Sequence, residues 1–124
     1  MLILVEMDPT VFDEVALMER LEGDGELRDL LVETFVRDSG ALLDRLEHAL
    51  SAGERANAEF AAHALRGAAA NLAAGRVEEA ARLVELAAAA GDLTAGRVAQ
   101  AGLVVEIARL LAALRGSDGP RVSG

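Results

Sequence analysis

Residues 62–74 read A-H-A-L-R-G-A-A-A-N-L-A-A, and three of them have the types and spacing for chemistry. His63 carries an imidazole, Arg66 a guanidinium three positions later, and Gly67 no side chain at all. An exposed imidazole is largely neutral at pH 7, so a ring nitrogen can act as a nucleophile toward phosphorus. Arginine offers a fork of donors to phosphoryl oxygens once they arrive. Glycine in an exposed helix interior costs up to about 1 kcal/mol relative to alanine. A chain this rich in alanine would lose nothing by using it at position 67 unless the absent methyl matters. A bare position beside the imidazole lets a bulky partner bring its own active site down onto the ring. Two plainer readings stand beside this one: His63 as an ordinary surface histidine, and Gly67 as a close helix-packing contact.

An α-helix advances by about 100° per residue, which puts Glu59, Arg66, Gly67 and Ala70 within about 60° of His63. Ala61, Leu65, Ala68 and Leu72 fall on roughly the opposite side. If that apolar side faces a core, His63 points into solvent from mid-helix. Phe60 lies at the margin of the outward face. Exposed, it is a docking anchor for a hydrophobic partner surface, together with Glu59 and Ala70; buried, it is simply core. His48, in D-R-L-E-H-A-L, reads as a solvated surface residue. Metal binding by the two histidines is disfavoured, because the Glu-x-x-His pairs of di-metal bundles are missing: Phe60 and Arg45 stand three residues before them.

The elements that position these residues are all helical in pattern. A first helix is expected from Pro9 to Leu21, with Asp8 as N-cap and Pro9 in the favoured first position, ended by E-G-D-G at 22–25. A long one runs from Glu26 to Ala52 with Leu27, Leu31, Phe35, Leu42, Leu46 and Leu50 as its stripe; Ser39 and Gly40 are a possible bend. Gly53 closes it. The helix bearing His63 spans Glu54 to Ala73, and the next spans Arg76 to Ala90 with Val77, Ala80, Ala81, Val84 and Ala88 inward. Asp92 or Thr94 caps the last, Ala95 to Leu114, whose inward face reads as Val104, Ile107, Ala108, Leu111 and Leu114. The short connections imply an all-α, antiparallel up-down four-helix bundle over 1–116, with the short N-terminal helix as a lid. The tail 117–124 lacks an apolar pattern and is expected to be disordered.

Composition narrows the function. The 124 residues carry a net charge of −9, which disfavours nucleic acid and anionic membranes as partners. All twelve basic residues are arginine, so Schiff-base, phosphate-loop and ATP-anchoring lysines are excluded. The absence of cysteine excludes disulfides and thiolate chemistry. The opening MLILV is too short to span a membrane and lacks the flanks of a signal peptide, so the chain reads by default as cytoplasmic.

The stretch 63–74 also resembles the signature of histidine phosphotransfer (HPt) domains. That signature is His-x-Leu-Lys-Gly, two small residues, a variable position, Asn or similar, Leu, Gly, Ala. His63, Leu65, Gly67, Ala68, Ala69, Asn71, Leu72 and Ala74 match it. Gly53-Glu54 stands where the family usually has Gly-Asp, and Val77, Leu83 and Glu85 fit the following helix. The resemblance covers most of residues 8–115. It departs at Arg66, where lysine is usual, and at Ala73, where glycine is usual; the latter is expected to lengthen the helix or displace the following turn. The resemblance implies a phosphorelay carrier. His63 would accept a phosphoryl group from a receiver-domain aspartate or a histidine kinase and pass it to a response-regulator receiver, with Arg66 stabilising the phosphate and Gly67 giving access. The resemblance further implies no cofactor of its own, with Mg²⁺ supplied by the receiver; a monomer is expected, with a plain dimerisation bundle as a third reading. A helical adaptor that binds or sequesters a receiver without transferring is the alternative.

Overall fold

The computed structural model describes residues 8–118 and contains five α-helices among them: α1 (Glu14–Arg20), α2 (Gly25–Ala52), α3 (Arg55–Asn71), α4 (Gly75–Ala89) and α5 (Leu93–Asp118). Helix α2 packs on α3, α3 on α4 and α4 on α5, while α5 returns to touch α2 and closes the bundle. Turns of two or three residues make each neighbour antiparallel. The core is aliphatic and small, with Leu46, Ala58, Ala61, Leu65, Ala69, Val77, Ala81, Val84, Leu103, Ile107 and Leu110 all fully buried. Alanines on the α3 and α4 seam let these two helices approach closely.

Capping sets most of the boundaries. The Asp24 side chain accepts from the Leu27 amide at 3.0 Å to start α2, and Gly53, at φ +72°, ends it in the left-handed conformation. Asp92 rather than Thr94 caps α5, accepting from the Ala95 amide. Helix α2 passes through Ser39 and Gly40 as one element, with Ser39 buried and Gly40 exposed.

Four expectations change. The first helix starts at Glu14, not Pro9, and its cap is Asp13, which accepts from the Ala16 amide at 2.9 Å. Asp8 instead accepts from both the amide and the hydroxyl of Thr10, at 2.8 and 2.6 Å. That local turn competes with helix, and it swings Val11 and Phe12 into the core, where they are 6 % and 2 % exposed. On α2, Leu27 is exposed and Arg28 is buried in its place, paired with Glu14 at 2.9 Å and lying 5.9 Å over the Phe12 ring. On α5 the inward face is Leu103, Ile107, Leu110 and Leu114, while Val104 and Ala108 are exposed and Leu111 is half-buried. The same helix runs on to Asp118, past the expected start of the tail; residues 119–124 lie outside the described residues.

The turn between α3 and α4 decides where the His63 face meets its neighbour. Helix α3 is not lengthened by Ala73. The Ala74 amide donates to the Ala69 carbonyl and the Ala73 amide to that of Ala70, a Schellman ending with Ala73 in the left-handed region at φ +58°. Alanine therefore holds a turn that normally calls for glycine, and α4 begins two residues later. Segment 8–13 braces this turn from outside. The Asp13 amide donates to the Ala73 carbonyl and the Arg76 amide to that of Thr10, while Arg76 also reaches Asp8 at 3.1 Å.

Candidate functional site

His63 sits mid-way along α3 with its side chain 65 % exposed, as its opposition to Leu65 and Leu72 requires. The ring is nonetheless held. Nδ1 lies 3.0 Å from Oε1 of Glu85, which reaches across from α4, and 3.2 Å from Nη2 of Arg66. An ionised carboxylate only accepts and a guanidinium only donates. The two contacts therefore call for opposite tautomers: Glu85 accepts from a protonated Nδ1, whereas Arg66 donates to a bare one. When Nδ1 carries its proton toward Glu85, the shorter of the two contacts, the Nε2 lone pair is left open, which is the state a nucleophile needs.

Glu85 is the residue that organises the pair. Its side chain is 18 % exposed, and its Oε2 lies 3.1 Å from Arg66 Nε. That second oxygen has no well-aligned hydrogen bond, so the Arg66 contact is an ion pair of favourable distance but imperfect angle. One carboxylate thus engages both His63 and Arg66. The sequence signal for it was its α4 face: Glu78, Arg82 and Glu85 stand four and three apart and form one stripe. Nothing within α3 could reveal that this stripe faces His63.

His63, Arg66, Gly67 and Ala70 line one shallow depression together with Gly75, Glu78, Glu79 and Arg82 from α4. A methyl group placed on Gly67 would meet nothing within 4 Å. Gly67 is therefore not a helix-packing glycine. That part is played by Gly96, where an added methyl would come within 3.1 Å of Leu50. Glu59, one turn before His63, is half-buried and is not among the residues lining the depression. Phe60 is 55 % exposed and leans the other way, toward α2, with the Arg45 guanidinium 4.5 Å from its ring centre. Ala70 is half-buried, and its carbonyl takes a hydrogen bond from Arg20. The six residues read from the sequence thus divide: four share the depression, and Glu59 and Phe60 stand on its flank. His48 is exposed on α2.

A family model, the Hpt domain, matches residues 30–117. The chain belongs to the Hpt domain family. The match runs from Leu30, inside α2, to residue 117 in α5, and leaves α1, with the segment that braces the α3–α4 turn, outside it. No curated protein and no solved structure matches the chain. Hpt domains are phosphocarrier modules of two-component phosphorelays, working with receiver domains and histidine kinases. Among the described residues of this Hpt domain, no group of three or more His, Asp or Glu could hold a metal ion, and no helix is long and apolar enough to cross a membrane.

Proposed function

We propose that His63 is the phosphoryl acceptor of this Hpt domain, receiving the group from a receiver-domain aspartyl phosphate and passing it to a response-regulator receiver. The carrying observation is the exposed imidazole whose Nδ1 is engaged by Glu85 while Nε2 stays open beside a bare Gly67. In the forward step the Nε2 lone pair forms the N–P bond and the acyl phosphate O–P bond breaks. The electron pair leaves with the aspartate carboxylate, and the Nδ1 proton stays on the ring against Glu85. Arg66 is close enough to swing from Glu85 toward the incoming oxygens, and a dianionic group attracts a guanidinium more strongly than one carboxylate does. Mg²⁺ belongs to the receiver in this scheme. The alternative is a helical adaptor that binds a receiver without transferring; receiver binding unaffected by His63→Ala, with no phosphohistidine formed, would favour it.

The test is incubation with a panel of phosphorylated receivers and Mg²⁺, followed by intact mass and acid-lability measurement. The expected result is a gain of one acid-labile phosphoryl group that His63→Gln abolishes while helical circular dichroism is kept. Full labelling of the His63→Gln protein overturns the assignment.

A further inference from the structure

The site that would receive a doubly negative group is itself acidic. Glu78 and Glu79 line the depression and Glu85 reaches its His63 end, against two guanidiniums, Arg66 and Arg82. Arg66 is engaged by Glu85. Arg82 is held by Glu79 through two hydrogen bonds, Nε to Oε2 at 2.8 Å and Nη2 to Oε1 at 2.6 Å. Both partners are about half exposed, so this pair is only weakly stabilising and is easily exchanged.

The register across the hairpin puts Arg82 where it matters. Helices α3 and α4 are antiparallel, and Glu85 meets His63 and Arg66. One turn toward the C-terminus of α3 is Gly67; one turn toward the N-terminus of α4 is Arg82. The two residues stand at the same level, and both line the depression. Gly67 has open space over it and lines the depression between them in sequence register, so no α3 side chain occupies that stretch.

We infer that Arg82 is a second phosphate-binding residue of this site, kept by Glu79 in the unphosphorylated protein and released across Gly67 onto the phosphoryl group once it is on His63. This rests on His63 being the acceptor. Glu79 is then a positioning residue: it parks Arg82 away from the imidazole, so the nucleophile does not face a guanidinium on that side before transfer. Gly67 gains a second role, as clearance for a side chain of its own chain as well as for the partner.

Phosphohistidine made with phosphoramidate provides the readout. The Nε2–P bond forms, the donor's P–N bond breaks, and ammonia leaves with the donor's protons. His48→Gln protein is used so that His63 is the sole acceptor, and the second ionisation of the phosphoryl group, ordinarily near pH 6, is followed by ³¹P NMR. A guanidinium in contact favours the dianion and lowers that value. Arg82→Ala is expected to raise it by about half a pH unit, and Glu79→Gln to lower it. In the double variant the Glu79→Gln effect should shrink, because its main route is the freeing of Arg82. The Arg82 Nε–H signal should also move on phosphorylation of the otherwise unaltered protein. An unchanged titration in Arg82→Ala, or a Glu79→Gln effect of full size without Arg82, overturns the inference and leaves the carrier intact. If His63 takes no phosphoryl group from phosphoramidate or from any receiver, the carrier reading itself fails.

Discussion

At the scale of single residues, one carboxylate, Glu85, engages both His63 and Arg66. Glu85→Gln keeps a hydrogen-bond acceptor near Nδ1 but drops the charge, and its amide can also donate, so either ring tautomer can be accommodated. Glu85→Ala removes the partner altogether. The fraction of His63 protonated on Nδ1, read from ¹⁵N chemical shifts, is expected to fall in both and further in Glu85→Ala. Phosphotransfer from a receiver should slow by about tenfold, the worth of one charge-assisted hydrogen bond. An unchanged tautomer ratio in Glu85→Ala would remove Glu85 from the mechanism. Gly67→Gln should keep the fold, since the added side chain enters open space, yet transfer from a receiver should drop by at least tenfold; normal transfer would end the access argument. His63, Arg66 and Gly67 were legible because one helix carries them and its periodicity relates them without any tertiary knowledge. Glu85 was visible only as a match to the family's following helix, and Arg82 not at all, because a cross-helix contact depends on the register of the α3–α4 hairpin, which the turn at 72–74 sets.

At the scale of elements, that turn holds a local conflict. Ala73 occupies φ +58°, where a Cβ crowds the following carbonyl at a cost of about 1 kcal/mol or somewhat more. Part of this would be offset in a glycine variant by the greater freedom of its unfolded chain. Ala73→Gly is therefore expected to stabilise the protein by roughly 0.5–1 kcal/mol, measured by urea denaturation with an unchanged m-value. Destabilisation would mean that the methyl packs usefully against the brace from segment 8–13. Helices α2, α3 and α4 were readable because each has a contrast between an apolar stripe and a charged face. Helix α5 lacks that contrast: Val98, Val104 and Val105 are exposed beside buried Leu103 and Ile107. Its inward face could not be chosen by hydropathy: Ile107 and Leu114 are buried as expected, but Val104, Ala108 and Leu111 were chosen where Leu103 and Leu110 lie inward. Helix α1 was misplaced for a different reason, since Asp8 and Asp13 are both competent caps and only the burial of Val11 and Phe12 decides between them.

At the scale of the whole molecule, the brace formed by segment 8–13 ties the chain's start to the α3–α4 turn and is partly ionic, in a protein with a net charge of −9. The Asp8 carboxyl is held below its ordinary value first by the side-chain hydrogen bond from Thr10, then by the Thr10 amide, with Arg76 contributing less. Glu79 is lowered likewise, chiefly by its hydrogen bonds from Arg82. For a carboxyl depressed in the folded state, the folded form binds fewer protons than the unfolded one as pH falls. The stability it contributes is therefore complete above the unfolded-state carboxylate range, near pH 4, and is lost as pH drops through the lower folded value. Asp8→Asn keeps an oxygen that can accept from Thr10 but cannot titrate. It should melt slightly below the unaltered protein at pH 7, and the gap should close as both are taken through pH 4 toward pH 2.5. Thermal melts followed by circular dichroism across that range give the comparison, with high salt expected to narrow the gap by screening Arg76 from Asp8. Parallel acid limbs for the two proteins would show that Asp8 braces the turn through its geometry and not through its charge.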